Sequence, residues 1–236
     1  MAGAPSATGG WQDSRGFLIS ITAAAGWLDA LAFLHLGNVF NSVMTGNVLF
    51  LGLGVGDGDW ARVLRAGVAL LAFGFGAFVG ARLVGRRLTA DAAARLPWAL
   101  VLEGTMLVLF AALWLAAGSP VAHPALQVVL IGIGAVAMGV QAAIALTLKI
   151  PNIATVALTA TVAQLGAFAG WLERDGRVSP DVPSPALMGA LILTYFVGPL
   201  IVALAPDWPV LALGPAVLLA IGLMGRPAPQ RVAAEA

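Results

Sequence analysis

Eight apolar stretches, at 17–36, 39–55, 60–85, 97–117, 125–148, 153–171, 185–205 and 208–225, take up most of this chain. A helix that crosses a bilayer needs about 20 mainly apolar residues at a rise of about 1.5 Å each. Every stretch lies near that length, and the connections between them are short. Of 236 residues, 60% are apolar and only 10% charged, where soluble domains carry about 25% charged. The chain therefore reads as an integral membrane protein with no room for a separate soluble catalytic domain. Hydropathy does not alternate with period two, and the stretches exceed the length of barrel strands, so the fold is expected to be an all-α helical bundle. Glycine or alanine recurs every third or fourth residue in most stretches, which lets helices approach closely in lipid. Gly76 and Gly80 form one such GxxxG pair.

Several functions are excluded or disfavoured by residue type. No cysteine is present, which removes thiolate metal sites and thiol nucleophiles. His35 and His123 are the only imidazoles, so no metal and no cofactor is expected. A net charge of +1 provides no electrostatic footprint for nucleic acid. Phosphate-cradling glycine loops and the common hydrolase motifs are missing, so no enzymatic activity is expected.

A duplication is visible at an offset of 114 residues. His35-Leu-Gly-Asn-Val aligns with Lys149-Ile-Pro-Asn-Ile, and Val43-Met-Thr-Gly-Asn-Val with Ala157-Leu-Thr-Ala-Thr-Val. Asn38/Asn152, Thr45/Thr159, Val48/Val162, Leu51/Leu165 and Gly52/Gly166 are identical pairs. The order of segments repeats as well, four to each half.

Basic residues decide how the halves relate. If all eight stretches cross and the N-terminus is inside, seven basic residues fall in the cytoplasm and five outside. If 39–55 and 153–171 instead enter and leave on one side, the division becomes ten inside and two outside, the two being Arg62 and Arg65. Cytoplasmic loops are enriched in Lys and Arg, so the second arrangement is preferred. It gives six full spans plus two shorter or re-entrant helical segments. Each half then crosses three times, and the halves are inverted.

Inverted repeats with broken helices are the usual frame of channels and secondary transporters, whose sites lie near the midplane. Gly37-Asn38 and Pro151-Asn152 mark matching breaks. Glycine weakens a helix, and proline removes a donor. Asn38 and Asn152 are placed to cap the helices that follow, turning positive helix ends inward. Asn38, Asn41, Ser42 and Thr45 recur at helical spacing, as do Asn152, Thr155 and Thr159, with Asn47 and Thr161 nearby. Such stripes either line a wet path or hydrogen-bond to neighbouring helices. Asp29 and Glu103 are acids within spans, expected to be paired, protonated or facing water. Asp29 is a candidate proton-coupling or substrate-binding carboxylate, the alternative being a structural polar knot. Glu103, two turns from the arginine-rich loop, is a possible second acid or a partner of Arg95. His35 and Lys149 precede the two breaks and are candidate gates or interfacial anchors. Gln141 lies close to the position that matches Asp29 in the second half.

Gly26-Trp-Leu-Asp29-Ala, Phe40-Asn-Ser-Val-Met-Thr45-Gly-Asn47 and Met138-Gly-Val-Gln141-Ala together resemble the YoaK-like family of bacterial inner-membrane proteins. The resemblance spans nearly the whole chain, departing at Ala142 and Ala160. It implies about six transmembrane helices and a bacterial inner-membrane location, and it supplies no substrate.

The resulting expectation is a small-solute transporter or channel, with a polar site between two inverted repeats. Residues 1–16 and 226–236 form cytoplasmic tails, 17–117 the first membrane repeat and 118–225 the second. The partners are the lipid bilayer and an unnamed small molecule or ion, and a homo-oligomer is compatible with the pattern. The competing expectation is a non-transporting scaffold or partner subunit acting through the Gly76/Gly80 face.

Overall fold

The computed structural model describes residues 15–85, 90–117, 123–147, 158–175, 184–205 and 209–224. Among them every regular element is a helix: α1 (Arg15–His35), α2 (Met44–Asp57), α3 (Trp60–Val84), α4 (Ala90–Ala117), α5 (Pro124–Thr147), α6 (Leu158–Asp175), α7 (Pro185–Leu204) and α8 (Gly214–Met224), with a 3-10 turn at Pro209–Leu213. Five of these, α1, α3, α4, α5 and α7, are long and apolar enough to cross a membrane. The chain is a polytopic helical membrane protein.

Six crossing-length helices were expected, and the difference lies at 208–225. That stretch divides into the 3-10 turn and the 11-residue α8. The cause is local. Pro215 has no N–H, so the carbonyl of Leu211, four residues earlier, finds no α-helical i+4 donor. The indole Nε1 of Trp27 donates to it instead at 2.9 Å.

Helices α1 and α5 form the centre and are largely buried, whereas α3 and α7 expose most of their length. Leu71, Phe75 and Phe78 on α3, and Leu193, Phe196 and Leu204 on α7, point outward. In water such a belt would be a liability. Against acyl chains it is the matching surface.

Named contacts fix the helix directions. Gln127 Nε2 donates to the His35 carbonyl at 3.3 Å, and Gln141 Nε2 to the Ile21 carbonyl at 3.5 Å, so α5 runs antiparallel to α1. Gly132 lies beside Val68 and Gly76 beside Val136, while the Thr147 hydroxyl donates to the Gly85 carbonyl at 2.9 Å. Helix α3 is therefore parallel to α5 and antiparallel to α1. The chain between His35 and Trp60 accordingly leaves and rejoins the bundle at one end. Gly214 beside Trp27 and Gly222 beside Ser20 make α8 antiparallel to α1. The start of α1 and the ends of α3, α5 and α8 thus share the opposite end.

Two glycine-mediated seams hold this arrangement. A Cβ on Gly26 would collide with the Tyr195 carbonyl, and one on Gly198 would stand 3.1 Å from the Ala23 carbonyl. A Cβ on Gly139 would collide with the Phe73 carbonyl, and one on Gly76 with that of Val136. The Gly76/Gly80 face, considered above as an outward scaffold surface, is thus occupied by α5. Small residues let two backbones meet where side chains would separate them.

Candidate functional site

The site begins with the end of α1. Gly37 takes φ +90 and Asn38 φ +61, and the Asn38 N–H donates to the Phe33 carbonyl at 3.2 Å. This is a Schellman-type ending with glycine at the left-handed position, where a Cβ costs most. Residues 37–43 then run without helical structure until α2 begins at Met44. The expected helical face of Asn38, Asn41, Ser42 and Thr45 is therefore not formed. The N-cap of α2 is Val43, without a side-chain cap. Asn38 stands exposed in the turn instead of capping α2. The tight reversal forced by Gly37 overrides helical spacing.

What anchors this segment is Asp29, two turns back along α1 and buried. Its Oδ1 accepts the backbone N–H groups of Asn41 at 2.7 Å and Ser42 at 2.8 Å. Its Oδ2 accepts the hydroxyls of Ser42 and, at 2.8 Å, Tyr195. One carboxyl group therefore joins α1, the non-helical segment and α7, and it satisfies backbone donors that α2 does not. Asn47 completes the clamp. Its Oδ1 accepts the Phe40 N–H at 2.9 Å and its Nδ2 donates to the Phe40 carbonyl at 2.7 Å. Phe33, Phe40 and Phe50 stack around it, with centroids 5.4 Å and 5.8 Å apart for the two nearly parallel pairs.

Asn41 is different. Its side chain is fully buried, yet neither Nδ2 nor Oδ1 meets a hydrogen-bond partner among the described residues. It faces α5 at Gly134, where a Cβ would stand 2.7 Å from Nδ2. A primary amide offers two donors and an acceptor with two lone pairs. Leaving these unmet in an apolar interior costs about 1–3 kcal/mol.

Gly134 belongs to a stripe along α5. Gln127, Gly134 and Gln141 are spaced by seven residues, two turns each, and span about 21 Å of a roughly 30 Å hydrocarbon core. Gln127 bonds to the end of α1. Gln141 donates to Glu103 Oε1 at 2.9 Å, with Glu103 fully buried. The expected pairing of Glu103 with Arg95 is replaced by this bond, because Glu103 faces α5 and the exposed Arg95 does not. Glu103 Oε2 and Gln141 Oε1 meet no donor among the described residues.

The other candidates are dispersed. Thr45 and Thr159 are exposed, Thr161 is buried on α6, and none of them bonds to Asp29. His35 packs edge-on against Trp114 with centroids 5.4 Å apart. Lys149, Asn152 and Thr155, and with them the second break, lie outside the described residues. No group of three potential metal ligands occurs among the described residues. Tyr195 was not anticipated, although it is the chain's single tyrosine and sits within an apolar stretch.

Residues 17–225 match a family described as "Protein of unknown function (DUF1275)". The chain is similar to the UPF0700 transmembrane protein YoaK of Bacillus subtilis (strain 168), with 31% identity over 213 residues, covering 89% of this chain and 92% of that protein. No solved structure matches it.

Proposed function

The chain belongs to the DUF1275 family of membrane proteins of unknown function, and from its site we propose that it passes a small solute or ion across the membrane along the α1–α5 seam. The observation that carries this reading is the Asn41 amide, buried beside Gly134 with both polar atoms unmatched among the described residues. Such a group costs stability and calls for a partner. A passing solute that offers both a donor and an acceptor is one. Asp29 then acts as the fixed clamp that holds Asn41 in place, because both its oxygens are already taken.

Two further features support the reading. The segment from His35 to Trp60 starts and ends at one end of the bundle, as a re-entrant element would. The seam contacts also come in two matching sets: Gly26 with Tyr195 and Gly198 with Ala23, then Gly139 with Phe73 and Gly76 with Val136. The residues of α1 and α5 in these sets differ by 113, and those of α3 and α7 by 122. These offsets support two related halves, and the antiparallel course of α1 and α5 supports their inversion. Both termini are then cytoplasmic in a bacterial inner membrane, with Arg62 and Arg65 on the outer side.

Light scattering from liposomes that contain the full chain tests the proposal, using small neutral solutes, amino acids and inorganic salts as probes. We expect at least one solute to pass faster than in empty liposomes, and Asn41→Leu to abolish the difference. Identical traces for protein-containing and empty liposomes across the set would remove the transport reading.

A further inference from the structure

From Glu103 and Gln141 we infer a second site, a proton-binding site in which the Glu103 carboxyl holds an exchangeable proton directed at the Gln141 amide oxygen. Glu103 Oε1 already accepts from Gln141 Nε2 at 2.9 Å. The two remaining acceptors of the pair, Glu103 Oε2 and Gln141 Oε1, are buried and meet no protein donor among the described residues. Two oxygens that both need hydrogen, on side chains already joined by one bond, are satisfied together by a single proton on the carboxyl. An acid and an amide can then bond in both directions at once.

A metal ion fits less well. Hard cations take six or more oxygen ligands, and here an amide nitrogen occupies one flank, pointing to Glu103 Oε1 and to the Ile21 carbonyl. Among the described residues, no neighbouring charge compensates the acid either. Helices α5 and α8 and the 3-10 turn have no ionisable side chain. On α1, Asp29 is held by its own four donors and His35 lies against Trp114. On α3, Arg62 pairs with Asp57 and Asp59, Arg65 lies against Gly37, and Arg82 sits over Phe78. Arg95 on α4 is exposed. A buried acid at membrane depth without a paired charge is stable chiefly in its neutral form.

This site stands apart from Asn41, so it can hold or fail independently of the transport proposal. Infrared spectroscopy of the full chain in nanodiscs at neutral pH tests it. The parent is expected to show the C=O stretch of a protonated carboxyl, shifted on transfer to heavy water and absent in Glu103→Gln. Gln141→Leu should retain the band at a shifted frequency, which keeps the test decisive if Glu103→Gln does not fold. A parent spectrum without the band would overturn the site. So would a band lost in Asp29→Asn and unchanged in both Glu103→Gln and Gln141→Leu, or one that never exchanges with heavy water.

Discussion

Gly26 on α1 rests directly on the main-chain carbonyl of Tyr195 on α7, so close that any Cβ would overlap the oxygen. The contact has a local cause. Pro199, four residues beyond Tyr195, has no N–H, so this carbonyl lacks the usual i+4 donor of its helix. A bare glycine can fill that place with Cα–H groups. Gly26→Ala is expected to destabilise the fold by about 1–3 kcal/mol through overpacking. Gly52→Ala, where nothing lies within 4 Å of the added Cβ, should instead gain up to about 1 kcal/mol from helix propensity. Thermal unfolding in detergent, followed by tryptophan fluorescence, compares the two.

Asp29 and Tyr195 share one of the four bonds that close the clamp. Tyr195→Phe removes that bond and is expected to cost about 1 kcal/mol. Asp29→Ala strands two backbone N–H groups and two hydroxyls, at about 1–3 kcal/mol for each donor left unmet, so it should cost several-fold more. In the double variant the Tyr195→Phe cost should disappear, because its acceptor has already gone. Additive losses would separate the two residues.

At the end of the bundle where α2 meets α3, Asp59 caps α3 by accepting the Arg62 N–H at 3.0 Å. That backbone bond, aided by the Arg62 and Arg65 charges, holds the Asp59 carboxyl below the usual aspartate range. A group bound more weakly to protons when folded stabilises the fold above its unfolded titration range. The contribution is lost as the pH falls through the lower, folded value. Melting temperatures of the parent and Asp59→Ala should therefore differ at neutral pH and converge in acid.

The chain has no cysteine, so single cysteines report topology without background. Substituted at Asp59, Ala90 and Asp175, they should react with an impermeant maleimide on intact cells at position 59 alone. Labelling at 90 with 59 protected would mean that 39–55 crosses the membrane, contrary to the antiparallel relation of α1 and α3.

Much of this architecture was legible in the residues. Long apolar runs specify membrane helices because backbone polar groups must be satisfied within each segment in lipid. The break at Gly37-Asn38 was legible because left-handed turns favour those residue types. Asp29, Asn41, Asn47, Glu103 and Gln141 stood out because polar side chains in spans are rare. What could not be read was their pairing. Helical spacing put Thr45 beside Asn41, whereas the non-helical segment turns Asn41 inward and leaves Thr45 exposed. Arg95 was the partner nearest in sequence to Glu103, whereas α5 brought Gln141 across from 38 residues away. The division of 208–225 follows from Pro215, which the sequence carries, whereas the indole that meets the Leu211 carbonyl comes from 184 residues away.

Sequence by itself thus determined that the chain is a polytopic helical membrane protein and which residues are too polar to lie there idle. Both follow from the transfer of single groups out of water, a property that each residue carries with it. Tertiary structure alone decided which of those polar groups satisfy one another and which, as at Asn41 and the Glu103–Gln141 pair, are left over among the described residues. Hydrogen bonds demand partners within about 3 Å, and only the packing of α1, α4, α5 and α7 determines who stands that close.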